Sequence, residues 1–201
     1  MEANQIDFER IMIFEHARIA AEAAYAKNPY DADNLIKWGG ALLQLSQLIE
    51  VNEQKNMIKD AISKLNEALA INPAKHEALW CLGNAYSAYG FLNPDHDEAQ
   101  IEFDHAAECF QMAVNECPGN EHYLQSLVNS SKAPDLYNEL VKQGVFNQPQ
   151  QSVGGGPATS SKEKKSENKK SSDLKYDICG WIILAVGIMA WVGMAKSHMP
   201  Q

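Results

Sequence analysis

The sequence repeats itself once, and this repetition limits the possible fold more than any other feature. Four positions recur after 44 residues, so that Leu35, Trp38, Gly39 and Leu42 match Leu79, Leu82, Gly83 and Tyr86. Four more recur after 45 residues, so that Ala61, Leu65, Ala68 and Pro73 match Ala106, Phe110, Ala113 and Pro118. Eight matched positions at nearly one offset predict two copies of one structural unit, stacked side by side.

The spacing within each copy resembles that of the tetratricopeptide repeat family. The pattern is large, large, small, large on a first helix, then small, large, small and proline on a second helix. The glycine of each copy allows the second helix to approach closely, and the proline ends that helix. Both copies exceed the usual length of about 34 residues by roughly ten. The extra residues, around 46–56 and 90–97, are either lengthened helices or protruding loops.

Apolar residues recur at intervals of three and four along this part of the chain, and no segment alternates with period two for long enough to form a strand. With Pro and Gly as boundaries, the pattern predicts helices at residues 6–26, 32–48, 57–71, 76–89, 97–115, 121–131 and 134–143. We therefore expect an all-α fold, a tetratricopeptide-like helical repeat with two full, lengthened repeats and flanking helices that cap its ends.

The composition changes sharply after the predicted helices. Residues 147–175 are rich in Gln, Gly, Ser and Lys and contain few apolar residues, which predicts a flexible linker. Residues 178–195 form an uncharged run of 18, which predicts a transmembrane tail anchor at 176–195 and a short tail at 196–201. Its modest length and basic flanks favour the mitochondrial outer membrane over thicker secretory membranes.

The charge is divided unequally between these regions. Residues 1–146 carry 10 Lys and Arg against 22 Asp and Glu, a net charge of −12, whereas residues 147–201 carry 7 against 4, a net charge of +3. An acidic domain repels nucleic acid and favours cationic partners. We therefore expect no nucleic-acid binding by the 1–146 domain.

No motif in the sequence supports catalysis or a bound metal. No two of the four cysteines have the C-x-x-C spacing, and the sequence holds no local signature of Ser/His/Asp or Cys/His catalysis. Asp95, His96 and Asp97, with His105 nearby, lie at a predicted helix start, where such residues commonly cap the helix. We expect no enzymatic activity, no cofactor and no metal site.

Several longer segments resemble one known family. DFERIMIFEHAR, NPYDADNLIKWGGALLQLSQ and EALWCLGNAYSAYGFLNPD, followed by a C-terminal anchor, are similar to the plant-type twenty-kilodalton receptor subunit of the mitochondrial outer-membrane translocase. The resemblance implies a receptor that binds the presequences of precursor proteins and hands them to the import channel. It also implies contact with other translocase subunits, a single membrane span and a domain that faces the cytosol.

A presequence-binding groove is expected on the first helix of each repeat. In tetratricopeptide folds, positions two, five, nine and twelve of that helix line the concave surface. Here these positions hold Asp33, Ile36, Gly40 and Leu43, then Glu77, Trp80, Asn84 and Ser87. Presequences are Arg-rich amphipathic helices, so Ile36, Leu43 and Trp80 would form an apolar floor, with Asp33 and Glu77 as acidic partners.

Other interpretations of the same residues stay open. Trp80 and Leu43 would equally fit packing against a neighbouring helix, and the two acids would equally fit a helix start. An adaptor in organelle division is an alternative function for a small tail-anchored repeat protein. A chaperone-docking cofactor is another, although no groove position holds a basic residue for acidic chaperone tails.

The predicted anchor yields a direct test of localisation. We expect a fluorescent protein fused to residues 174–201 to accumulate at mitochondria, because this segment combines a short apolar span with basic flanks. A fusion to residues 147–173 should stay diffuse. Fluorescence microscopy with organelle markers decides the point, and accumulation of the 174–201 fusion in the endoplasmic reticulum would contradict the interpretation.

Overall fold

The computed structural model describes residues 2–144. The predicted linker at 147–175, the anchor at 176–195 and the tail at 196–201 lie outside the described residues. Within residues 2–144, no helix combines the length and the hydropathy that a membrane span requires.

Seven helices make up the regular structure of the described residues, and no strand occurs among them. They are α1 (Glu2–Tyr25), α2 (Ala32–Ser46), α3 (Val51–Ile71), α4 (His76–Phe91), α5 (His96–Glu116), α6 (Glu121–Ser130) and α7 (Ala133–Lys142). The predicted all-α class is confirmed. Helix α2 packs mainly on α3, and α4 packs on α5, so that each repeat is a helical hairpin, with α1 and α6 packed at the two ends.

The inserted residues lengthen helices instead of forming loops. Helix α3 begins at Val51, six residues before the predicted start at residue 57, and α5 begins at His96. The connections at 47–50 and 92–95 are therefore only four residues long. The early start of α3 was missed because its first turns are largely solvent-facing, with Val51 and Glu53 exposed, so they lack an apolar stripe.

Close approach at a glycine joins the two helices of each hairpin. A Cβ atom built on Gly39 would lie 2.7 Å from Leu65 Cγ, and one built on Gly83 would lie 2.7 Å from Phe110 Cε1. Leu65 and Phe110 are almost fully buried. The role predicted for the two glycines is confirmed, since any side chain there would overlap the partner helix.

Polar side chains cap the starts of several helices. Asp31 accepts a hydrogen bond from the Asn34 backbone N–H at the start of α2, and Asn120 does the same for the first turn of α6. Asp95 accepts from the backbone N–H groups of Asp97 and Glu98, both at 3.0 Å. The cap expected for the Asp95 segment is therefore present at the start of α5.

Helix α1 is fastened to the first hairpin by one buried hydrogen bond and an aromatic cluster. Asn34 Nδ2 donates to the Ala21 carbonyl oxygen at 2.8 Å, in the interface between α1 and α2. Tyr25 and Trp38 meet edge to face with ring centroids 5.5 Å apart. The Lys64 ammonium of α3 lies 4.8 Å and 4.7 Å from these two ring centroids. Three helices thus share a cation–π contact.

Helix α7 packs against α5 and α6, on the side of the second hairpin where α5 begins. Its Tyr137 is 1% exposed and donates a hydrogen bond to the Asn93 carbonyl oxygen at 2.8 Å. The same ring packs on Phe103, and Ala99 and Ala133 complete the cluster. Asn93 belongs to the inserted residues 90–97, and Ala99 and Phe103 follow them in α5, so α7 docks beside the start of α5.

Two adjacent glycines provide a matched test of the close approach. Gly39→Ala should lower the free energy of unfolding by about 1–3 kcal/mol, because the methyl group overlaps Leu65 and the Ala61 carbonyl oxygen. Gly40→Ala should raise it by about 0.5–1 kcal/mol, since a Cβ there meets no atom within 4 Å and alanine favours the helix. Urea denaturation of residues 1–147, followed by circular dichroism, measures both. Equal effects of the two substitutions would contradict the packing.

Candidate functional site

The predicted groove residues differ widely in their exposure. They lie on α2 and α4, which contact each other directly. Asp33 is exposed, whereas Ile36, Glu77, Asn84 and Ser87 are half-buried. Leu43 and Trp80 are only 5% and 4% exposed. The open part of this face is therefore more polar than the sequence positions suggested.

Helix α6 covers Trp80. The Trp80 indole Nε1 donates a hydrogen bond to Ser126 Oγ at 2.8 Å, and its ring lies against that of Tyr123 with centroids 5.9 Å apart. Ser126 Oγ in turn donates to the His122 carbonyl oxygen. The indole thus has both a packing partner and a polar partner within the fold, as in the packing alternative considered for it.

A lysine connects the two predicted acidic residues. Lys75 Nζ lies 2.7 Å from Asp33 Oδ1 and 3.8 Å from Glu77 Oε2. Its hydrogen bond to Asp33 raises the pKa of Lys75 despite partial burial, and the charge of Glu77 adds to the effect. His76 Nδ1 lies 3.4 Å from Glu77 Oε2 and 2.9 Å from the Tyr123 hydroxyl. The acidic end of the groove therefore contains its own cation.

Lys75 was not predicted as a site residue, because it precedes the helix positions that line the groove. It is the N-cap residue of α4, directly after the proline-containing turn that ends α3. The sequence feature that could have indicated its role is its position two residues before Glu77. The pairing with Asp33, 42 residues earlier in the chain, depends on how α2 and α4 lie beside each other.

A second surface, which the sequence did not predict, lies between α5 and α6. It is a groove of ≈ 500 Å³ whose walls are mostly apolar, lined by Ala107, Glu108, Gln111, Met112 and Leu127. Met112 is 49% exposed, and Leu124 and Val128 are also exposed on α6. Such a surface suits the apolar face of a helix, and methionine adapts to differently shaped partners.

The walls of this α5–α6 groove belong to an acidic stretch of the chain. Residues 103–130 contain Asp104, Glu108, Glu116 and Glu121 but no Lys or Arg. The surface was missed because Met112 and Glu108 lie on the second helix of a repeat, whereas the prediction used first-helix positions only. Exposed apolar residues on the outer side of α5, such as Ile101 and Met112, were the signal.

Comparison with known proteins gives one consistent result. Residues 8–196 match the family model described as plant specific mitochondrial import receptor subunit TOM20. The chain is 53% identical to mitochondrial import receptor subunit TOM20-2 of Arabidopsis thaliana, over 100% of this chain and 98% of that protein. It is 51% identical to TOM20-3 of the same organism, over 98% and 96%. These matches confirm the resemblance predicted from the sequence segments.

The contact between α6 and Trp80 can be tested by substitution. Ser126→Ala removes the acceptor of the Trp80 N–H, so α6 should open more often and its amide hydrogens should exchange several times faster. Gln125→Ala is the matched control, because Gln125 is exposed and its side chain bonds only within α6, to Asn129. Hydrogen–deuterium exchange with mass spectrometry compares the two variants. If the α6 amide hydrogens exchange at the same rate in both variants, the hydrogen bond between Trp80 and Ser126 does not hold α6 in place.

Proposed function

Because the chain belongs to the plant-specific family of mitochondrial import receptor subunits TOM20, we propose that it is itself an import receptor. In this role it binds the basic amphipathic presequences of precursor proteins and hands them to the import channel. The observation that carries the proposal is the family match, which spans residues 8–196 and includes both the helical unit and the C-terminal apolar run.

The proposal includes the architecture. The two hairpins, α2 with α3 and α4 with α5, are tetratricopeptide-like repeats, and α1 and α6 are capping helices. Equivalent contacts support this assignment, since Gly39 meets Leu65 as Gly83 meets Phe110. The apolar run at 178–195 is a single span in the outer membrane, and residues 147–175 tether the domain on the cytosolic side.

The proposed presequence site is the face formed by α2 and α4. Ile36 offers apolar contact, Asn84 and Ser87 offer polar contact, and Asp33 and Glu77 attract arginine. Leu43 and Trp80 are almost fully buried, and α6 covers Trp80, so neither offers open apolar surface to a ligand in this structure. The α5–α6 groove offers a further apolar surface with Glu108 at its wall.

Binding without catalysis suits this chemistry. The net charge of −12 on residues 1–146 attracts cationic helices over about 10 Å at moderate salt. Apolar contact then distinguishes an amphipathic helix from any other cation. Among the described groove residues the cation is Lys75, which is already paired with Asp33, so it offers little to the acidic tails that a chaperone cofactor would bind.

Peptide titration tests the proposal. A fluorescently labelled basic amphipathic presequence peptide should bind residues 1–147 saturably, with a dissociation constant in the micromolar to sub-millimolar range, because precursors must be released onward. Replacing the leucines of the peptide by alanine should weaken binding at least about tenfold, since most of the apolar contact is lost.

A scrambled peptide of identical composition is the control, because it keeps the charge and loses the amphipathic face. Raising the salt concentration should weaken the binding of both peptides. Absence of saturable binding, or binding indifferent to the loss of the leucines, would contradict the proposed function.

A further inference from the structure

Two carboxylates and one ammonium group meet where α2 and α4 begin. Asp33 lies in the first turn of α2, Glu77 lies in the first turn of α4, and Lys75 holds the N-cap position of α4 without a capping hydrogen bond from its side chain. The Lys75 ammonium hydrogen-bonds to Asp33 at 2.7 Å, and its distance to Glu77 is 3.8 Å, beyond hydrogen-bonding range. One lysine therefore partly neutralises both acids.

Glu77 is the less satisfied of the two acids. Its Oε2 atom is inaccessible to solvent and accepts no hydrogen bond from the described residues. His76 Nδ1, which lies 3.4 Å from this oxygen, is itself hydrogen-bonded to the Tyr123 hydroxyl at 2.9 Å. A buried carboxylate oxygen without a donor is unfavourable. A new donor can reach this oxygen only when Lys75 or His76 moves aside, because both lie beside it.

An arginine side chain fits this arrangement better than Lys75 does. A guanidinium group presents five N–H donors in a planar fork, whereas an ammonium group is a point charge with three donors. Asp33 keeps 66% of its side-chain surface exposed, so an incoming group can reach it. Ion pairs with this much exposure are weak and readily exchanged.

We propose that Lys75 is an internal counter-ion that competes with the arginines of a bound presequence for Asp33 and Glu77. This role rests on the proposed receptor function. A ligand with a single weak cation gains nothing by displacing Lys75, because one ion pair replaces another. A helix that brings arginine together with an apolar face gains bidentate hydrogen bonds and apolar contact. Lys75 thus weakens the binding of every cationic ligand at this site. The ligands that bind despite it are those that combine arginine with an apolar face.

Substitution of Lys75 tests the competition in the full chain, held in lipid nanodiscs, with a labelled basic amphipathic peptide and empty nanodiscs as the blank. Lys75→Met and Lys75→Gln should each tighten peptide binding by about three- to fivefold, because a unit charge 2.7 Å from Asp33 and 3.8 Å from Glu77 is removed. Lys75→Arg keeps the charge and brings the better-fitting guanidinium group, so it should weaken peptide binding by about two- to threefold. The gain should vanish for a peptide whose arginines are replaced by glutamine.

Two further variants separate local competition from net charge. Lys132→Met removes one positive charge at the exposed start of α7, and it should leave affinity unchanged. In an Asp33→Asn background, Lys75→Met should give less than half of its usual gain, because one of the contested carboxylates is absent.

The outcomes distinguish this inference from the proposed function. Saturable binding by the unmodified chain together with no gain from Lys75→Met and Lys75→Gln overturns the counter-ion role alone. An equal gain from Lys132→Met also overturns it, since the effect would then be general. Failure of every variant to bind the peptide above the empty-nanodisc blank overturns the proposed function and the counter-ion role together.

Discussion

The close approach of two helices at a glycine is the contact on which the rest of the structure depends. Leu65 fills the space above Gly39, and Phe110 fills the space above Gly83, at distances that leave no room for a Cβ atom. Each contact sets the separation of the two helices in a hairpin, and the alanines at positions 61, 68, 106 and 113, all fully buried, keep that separation along the interface. Because α3 also packs on α4, the two hairpins stack, and the first helices of both repeats lie side by side. The face that we propose for presequence binding exists only through this stacking.

The lengthened helices determine which surfaces stay open. In the second hairpin Phe103 and Ala99 pack beside Tyr137, and the inserted residue Asn93 accepts the Tyr137 hydrogen bond, so α7 docks at the start of α5. The rest of the outer side of α5 has α6 beside it, and the α5–α6 groove remains with Met112 exposed at its edge. Helix α6 at the same time covers Trp80 and satisfies its N–H. The docking of α7 near the start of α5 thus leaves the α5–α6 groove uncovered by α7 residues.

Electrostatics of the proposed site combine a long-range attraction with a local competitor. The excess of acidic residues in the 1–146 domain attracts cationic helices regardless of their sequence. At short range, Lys75 already occupies the place beside Asp33. Discrimination then depends on what the ligand adds beyond charge, namely the planar fork of arginine and an apolar face. In the proposed function this combination gives weak and selective binding, which suits a receptor that passes its ligand onward.

The sequence alone determined the all-α class, the hairpin boundaries and the role of Gly39 and Gly83, because helix periodicity, proline and glycine act through local geometry. The family was also readable, since it is carried by segments such as EALWCLGNAYSAYGFLNPD. The sequence did not predict which of the site residues are exposed to solvent. Register placed Trp80 in the groove, but only the packing of α6 shows that the indole is covered and hydrogen-bonded to Ser126. Lys75 and Asp33 are distant in the chain, and the α5–α6 groove draws on two helices, so both depend on inter-helix packing. Burial and long-range ion pairs are properties of such packing, and no local sequence pattern encodes them.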